Sequence, residues 1–431
     1  MSAAALVTTV VQGGWLLYPL LLSLAIFGVL HWHRGTAPYP LIQIIVQGAR
    51  QGVGVLSILL LIGLLMAAWM AAGTVATLVY YGLQLIQPQL FVLVSFVLTA
   101  AISVLMGTSF GAVGTIGLAL MVMARGTNMP EPLVAGAIIA GAYVGDRCSP
   151  MSSSANLVAV ITESRLHSNL KGMVLTSRWA LTLTVGFYAV ASWRYPLQTA
   201  RGFLLPQISE AFVVSPVGIL PAIAIPLLII LRVPVRRTML VSLGIALVLG
   251  MELQAYSPLE LARFLVAGFT LERPAALVTI FQGGGLVAMG RVCLVVVAST
   301  ALAELLAETH IFRPLQGWAN GLEPQRPLMM GTTAISLLMA AYGCTQTITI
   351  LLTHQLVRRR YAQTQQSQMP LALALENSAV VIAPLIPWNI AGLVPANLLS
   401  VGFGFIPFAP YLYLVPIMAI LTGSPGFQKK I

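Results

Sequence analysis

Asp146 is the single aspartate among 431 residues, and it stands within one of the most apolar stretches of the chain. Around it the sequence runs Gly145-Asp146-Arg147-Cys148-Ser149-Pro150-Met151-Ser152-Ser153-Ser154-Ala155-Asn156. In hydrocarbon an ionisable group costs several kcal/mol or more unless it is paired, hydrated or bound to an ion. Hard cations such as sodium take oxygen ligands, and a carboxylate with hydroxyls and an amide carbonyl is such a set. Asp146, Ser152 and Asn156 are therefore candidate sodium ligands, with Ser149, Ser153 and Ser154 as further ligands or ligand supports. The competing structural explanation is an Asp146–Arg147 ion pair, or serine hydroxyls bonded backward along a helix.

Three more polar breaks interrupt apolar runs. Gly107-Thr108-Ser109 belongs to a Gly-rich stretch extending to Gly117. Glycine lets the backbone leave helical geometry, and the freed carbonyls with Thr108 and Ser109 offer neutral oxygens. A small-residue packing face explains the same glycines equally well. Gly343-Cys344-Thr345-Gln346-Thr347 has a similar composition, with Gln346 a rare amide in apolar surroundings. The fourth break runs from Glu376-Asn377-Ser378 to Pro384-Leu385-Ile386-Pro387-Trp388-Asn389, where two prolines break a helix. Glu376 is a second intramembrane carboxylate; its alternative is a helix-start charge at the water interface. Glu304 and Glu308, near His310, read as a solvated helix end.

The elements that must carry these residues are helical. Hydrophobic residues make up 58% of the chain and charged residues 8%, too little charge to clothe a soluble surface, which normally carries about a quarter. Apolar runs lie near 14–31, 53–72, 89–107, 112–125, 131–145, 172–193, 215–231, 238–253, 286–307, 327–343, 370–387 and 406–422. A spanning helix needs roughly 20 such residues. The expected fold class is an all-α polytopic membrane protein with about ten to twelve passes or half-passes, several of them broken. Residues 194–214 read as a polar joint between halves, and Ser257-Pro258-Leu259-Glu260 as a helix start.

The breaks recur. Pro150 follows Gly107 by 43 residues and Pro387 follows Gly343 by 44. This spacing predicts two repeats, one in residues 1–200 with breaks at 107–117 and 145–156, the other in 201–431 with breaks at 343–349 and 376–389. Transporters often carry such repeats inverted, with broken helices meeting at the bilayer midplane; chance spacing of Gly and Pro is the alternative.

The net charge of +11 comes mostly from arginine, clustered as Arg232/Arg236/Arg237 and Arg358-Arg359-Arg360 between apolar runs. This fits the positive-inside rule, not nucleic-acid binding. Cys148, Cys293 and Cys344 show no metal-site spacing. No P-loop, GxSxG elbow or HExxH is present. The chain is thus expected to be no enzyme and to need no cofactor, with sodium and protons as coupling ions.

In this order the four segments resemble the NhaC-type Na+/H+ antiporters of the ion-transporter superfamily. The likeness rests on Gly107-Thr108-Ser109, Gly114-Thr115-Ile116-Gly117, Gly141-Ala142-Tyr143, Gly145-Asp146-Arg147 with Ser149-Pro150 and Asn156, Gln282-Gly283-Gly284-Gly285, Glu376-Asn377-Ser378 and Pro384-Leu385-Ile386-Pro387-Trp388-Asn389. The resemblance implies alternating access, two inverted repeats, a bacterial inner membrane and a homodimer. It carries a binding role onto Asp146, Ser149, Ser152, Asn156, Glu376 and Asn389. Ser153 and Asn377 stand where the family usually or often has aspartate, and Ala155 where it has threonine. Two fewer negative charges alter ion binding and stoichiometry. A sodium- or proton-coupled exchanger of a small organic acid or amino acid on the same scaffold is the alternative.

Overall fold

A computed structural model describes residues 8–9, 14–33, 35, 37–127, 129–197, 201–271, 275–278, 280–307, 313–323, 326–363 and 368–422. Glu308 and His310 lie outside these. Among the described residues the regular secondary structure is helical apart from one antiparallel pair, Phe269–Thr270 with Gln282–Gly283. Next to this pair Gly284 has φ +74, and a Cβ there would lie 2.6 Å from the Ala67 nitrogen. The glycine run therefore brings two backbones into contact.

Among the described residues, four unbroken helices are long and apolar enough to cross a membrane: Val53–Ala71, Pro88–Met106, Leu166–Arg194 and Gly285–Leu306. Two bent pairs, Leu204–Ala211 with Pro216–Ile230 at 91° and Met369–Leu385 with Ile390–Leu398 at 51°, raise the number to six. Shorter apolar helices include Leu17–His33, Ser109–Arg125 and Pro410–Thr422. Most of residues 201–214 form a helix (Arg201–Ala211) rather than a polar joint, because Leu204, Ile208 and Phe212 share one buried face at four-residue spacing. Ser257 and Glu260 form the expected helix start as a reciprocal capping box.

The site rests on helices α1 (Phe91–Met106), α2 (Ser109–Arg125), α3 (Glu131–Cys148), α4 (Ser153–Ile161), α5 (Leu166–Arg194), α6 (Arg326–Gly343), α7 (Gln346–Gln363), α8 (Met369–Asn377, continuing to Leu385), α9 (Ile390–Leu398) and α10 (Pro410–Thr422). The breaks fall between α1 and α2, α3 and α4, α6 and α7, and α8 and α9, so each predicted half has two.

The breaks are built alike. Gly107 ends α1 at φ +66, and Cys344 ends α6 at φ +53, a left-handed backbone that costs a non-glycine residue about 1–2 kcal/mol. The second member of each break then restarts with a polar cap. Thr108 accepts from Gly111 N–H, Ser152 from Ala155 N–H, Thr345 from Ile348 N–H and Asn389 from Ala391 N–H. Removing such a cap costs about 1 kcal/mol. Within α2 the helix widens to a π turn at Val113–Gly117, where the Thr115 hydroxyl donates to the Gly111 carbonyl at 2.7 Å. Gly114 and Gly117 abut Ile62 and Ile138, so the packing explanation holds for these two.

Two glycines set the position of α3. A Cβ at Gly141 would lie 2.5 Å from the Phe96 carbonyl oxygen, and one at Gly145 2.0 Å from the Ser103 carbonyl carbon. The Ser103 hydroxyl donates to the Ala142 carbonyl across the same contact. Backbone therefore lies on backbone one residue before Asp146.

Candidate functional site

Asp146 sits in the last turn of α3 with 5% of its surface exposed. Its carboxylate does not pair with Arg147. Oδ2 accepts from Gln346 Nε2 at 2.8 Å and from the Ser154 hydroxyl at 3.3 Å, and the Ser109 backbone amide faces the same group. Gln346 Nε2 also donates to the Val380 carbonyl at 3.2 Å. Since a carbonyl only accepts, this second bond fixes which end of the amide meets Asp146. One carboxylate thus gathers groups from α2, α4 and α7, and Gln346 joins it to α8's continuation.

Arg147 points elsewhere and is fully buried. Nε donates to the Glu376 carbonyl at 3.1 Å, Nη1 to the Tyr411 hydroxyl at 3.2 Å, and Nη2 to Thr176 Oγ1 at 3.0 Å, to the Met173 carbonyl at 3.3 Å and to Asn377 Oδ1. Every oxygen acceptor is uncharged. Glu376, also fully buried, contributes only its backbone to this network; neither side-chain oxygen has a protein partner. The helix-start alternative for Glu376 fails, because it lies in the last turn of α8. A buried ionised carboxylate without a partner costs several kcal/mol, more than one hydrogen bond returns. Such a group holds a proton, water or a cation.

The other predicted residues separate into four groups. Ser152 and Ser154 both donate to the Asp146 carbonyl, Ser154 at 2.7 Å. Ser149 is buried and accepts from Met151 N–H at 3.2 Å. Asn377 accepts from Arg147 and from Thr176 at 3.1 Å, leaving its own Nδ2 unpartnered. Thr108, Thr345 and Asn389 serve as caps, and Asn389 also donates to the Ala340 carbonyl at 2.9 Å. Ser153 and Asn156 are exposed. Asn156 Nδ2 donates to the Ser152 carbonyl at 2.6 Å and to that of Pro150 at 3.2 Å. The expected Asp146–Ser152–Asn156 ligand set is therefore not assembled in this conformation. Helical periodicity is the reason: α4 begins at Ser153, which turns positions 154, 155 and 158 inward and 153, 156 and 160 outward.

A profile described as the Na+/H+ antiporter family covers residues 141–427. The chain is 31% identical over 395 residues to the Na(+)/H(+) antiporter NhaC of Bacillus subtilis, covering 90% of this chain and 86% of that one. The chain belongs to the Na+/H+ antiporter family. It is also 25% identical over 389 residues to the Malate-2H(+)/Na(+)-lactate antiporter of Bacillus subtilis, covering 89% and 83% of the two chains. With the Arginine/ornithine antiporter ArcD of Halobacterium salinarum it shares 24% over 426 residues, covering 95% and 87%.

For this Na+/H+ antiporter family chain, sequence reasoning left three participants unassigned. Tyr143 lies three residues before Asp146 on the same face of α3, and its hydroxyl donates to the Ala391 carbonyl in α9 at 2.8 Å. That i, i+3 relation was available as a signal. Thr176 and Tyr411 stand 29 and 264 residues from Arg147, and nothing local marks them.

Proposed function

We propose that this multi-pass membrane protein is a secondary active transporter that exchanges sodium for protons by alternating access, in the bacterial inner membrane and as a homodimer. Asp146 binds the passenger, Ser154 and Gln346 position its carboxylate, and Glu376 is the second acidic group. The observation that carries this reading is a carboxylate at the meeting point of three of the four breaks, free of the adjacent guanidinium. Binding sodium there requires the Gln346 amide to swing away or to offer its carbonyl instead. Ser149 and Ser152 shape the turn, and Asn389 and Thr345 hold the half-helices of the second half.

In proteoliposomes with imposed sodium and proton gradients, Asp146→Asn is expected to abolish sodium-dependent proton flux while the protein stays folded. Full flux in that variant would remove the mechanism.

A second reading draws on the two relatives named as metabolite antiporters: coupled exchange of a small organic acid or amino acid. Against it, the Arg147 guanidinium already has protein acceptors on Nε, Nη1 and Nη2, so it offers no free fork to a substrate carboxylate. Sodium-dependent thermal stabilisation by one of a panel of small acids or amino acids would favour this second reading. Stabilisation by sodium alone favours the first.

A further inference from the structure

Among the described residues four ionisable acidic or basic side chains are buried: His31, Asp146, Arg147 and Glu376. His31 bonds the Leu305 carbonyl at 3.2 Å, away from the breaks. The other three share the site without forming an ion pair. Arg147 meets neutral oxygens, Asp146 meets an amide and a hydroxyl, and Glu376 meets nothing from the protein. The neighbouring Tyr143, Cys148 and Tyr411 are ordinarily uncharged at neutral pH.

We infer that Arg147 is a built-in counter-cation that fixes the exchange at one proton for one sodium ion, with no net charge moved. The inference rests on the antiport reading above and concerns its stoichiometry. With both carboxylates ionised the trio sums to one negative charge. In a low-dielectric site an uncompensated charge is costly, so the favoured loaded states are those with a sum of zero. Two such states are available. In one, a single proton sits on a carboxylate: guanidinium, carboxylate and carboxylic acid sum to zero. In the other, a single sodium ion joins two carboxylates and the guanidinium, again summing to zero. A second proton would leave a net positive charge, and a second sodium likewise. Passing from one neutral state to the other releases one proton and takes up one sodium.

Arg147 can play this part because its position does not depend on the passenger. Its donors reach α5, α8 and α10 as well as its own helix. Asn377 matters here. Its Oδ1 accepts from Arg147, so a carboxylate in its place would neutralise the guanidinium locally and leave Asp146 and Glu376 uncompensated. Arg147 is thus a positioning and charge-setting residue rather than a ligand.

The test is the zero-flux point of the full-length protein in proteoliposomes, with the membrane potential set by potassium and valinomycin. One-for-one exchange reverses at a sodium ratio equal to the proton ratio, whatever the potential. An exchange moving one net charge shifts that ratio by about 50-fold per 100 mV, the equivalent of the ~2.3 kcal/mol carried per charge. The expected wild-type result is a zero-flux ratio that tracks the proton gradient and is unmoved by potential. A potential-dependent ratio would overturn the inference while leaving antiport intact. No sodium-driven proton movement at all would remove the antiport reading, and this stoichiometry with it. Asn377→Asp lowers the sum to two negative charges, so its neutral states carry two cations; the expected result is a sodium dependence of flux with a Hill coefficient rising from about 1 in the wild type towards about 2, with the zero-flux ratio still following the proton gradient. A folded, transporting variant that keeps the wild-type Hill coefficient counts against the role of Arg147. If that variant does not fold, the wild-type ratio together with the wild-type Hill coefficient decides.

Discussion

Asp146 and Arg147 are adjacent in the chain yet leave α3 about 100° apart, the turn a helix makes per residue. That angle is enough to send the carboxylate to Gln346 and the guanidinium to Asn377. A pair of opposite charges side by side in a sequence is thus a weak sign of an ion pair when both lie on one helix. The need for a lone aspartate to do something in hydrocarbon could be read from composition. Which neighbour it would find could not, since Gln346 lies 200 residues away. Arg147→Lys tests the guanidinium itself. A lysine has three donors on one atom and cannot reach acceptors on α5, α8 and α10 together. We expect a loss of about 1–3 kcal/mol, the cost of leaving buried acceptors unpaired, seen as a lower unfolding temperature in detergent. An unchanged temperature would show that the network contributes little.

At the scale of elements, the four breaks were visible because their makers are residue types with narrow uses: glycine for a left-handed turn, proline to stop a helix, small polar residues to cap the next one. The cap at Asn389 follows Pro387 as helix-breaking chemistry requires. Cys344 hid its turn, because a cysteine at φ +53 has no compositional signature. The inward and outward faces of α4 were hidden too, since three consecutive serines look alike until the helix start is known. Gly145 makes a prediction at this scale. Gly145→Ala pushes a methyl group into the Ser103 backbone, and overpacking of this kind costs about 1–3 kcal/mol. The expected outcome is a lower unfolding temperature and slower exchange, because Asp146 shifts with α3. Gly186→Ala in α5 is the control: nothing lies within 4 Å of its Cβ position, so the greater helix propensity of alanine should leave stability equal or raise it by up to about 1 kcal/mol. Equal behaviour of the two variants would argue against close α1–α3 packing.

For the whole molecule, composition was sufficient to assign an all-helical membrane protein, and the pairing of breaks to expect two halves. The number of clean spans was less legible, because apolar content does not reveal where a helix bends. The segment after Arg201 shows this, with its helix turning 91° into the next. The long-range link from α3 to α9 through Tyr143 was equally out of reach. One feature has mechanical reach. The Arg147 side chain bonds groups on α5, α8 and α10 from its seat on α3, so these four helices should travel as one body. Gly172 in α5 faces Met369 in α8; a disulfide between cysteines placed at these positions is expected to leave turnover within about twofold of the reduced protein. Loss on oxidation and recovery on reduction would mean that α5 slides past α8. If the rivet holds, the four helices tied by Arg147 stay rigid throughout a cycle, and the hinges lie outside them. Inhibitors that wedge this outer joint could then stall the machine without ever competing for either carboxylate.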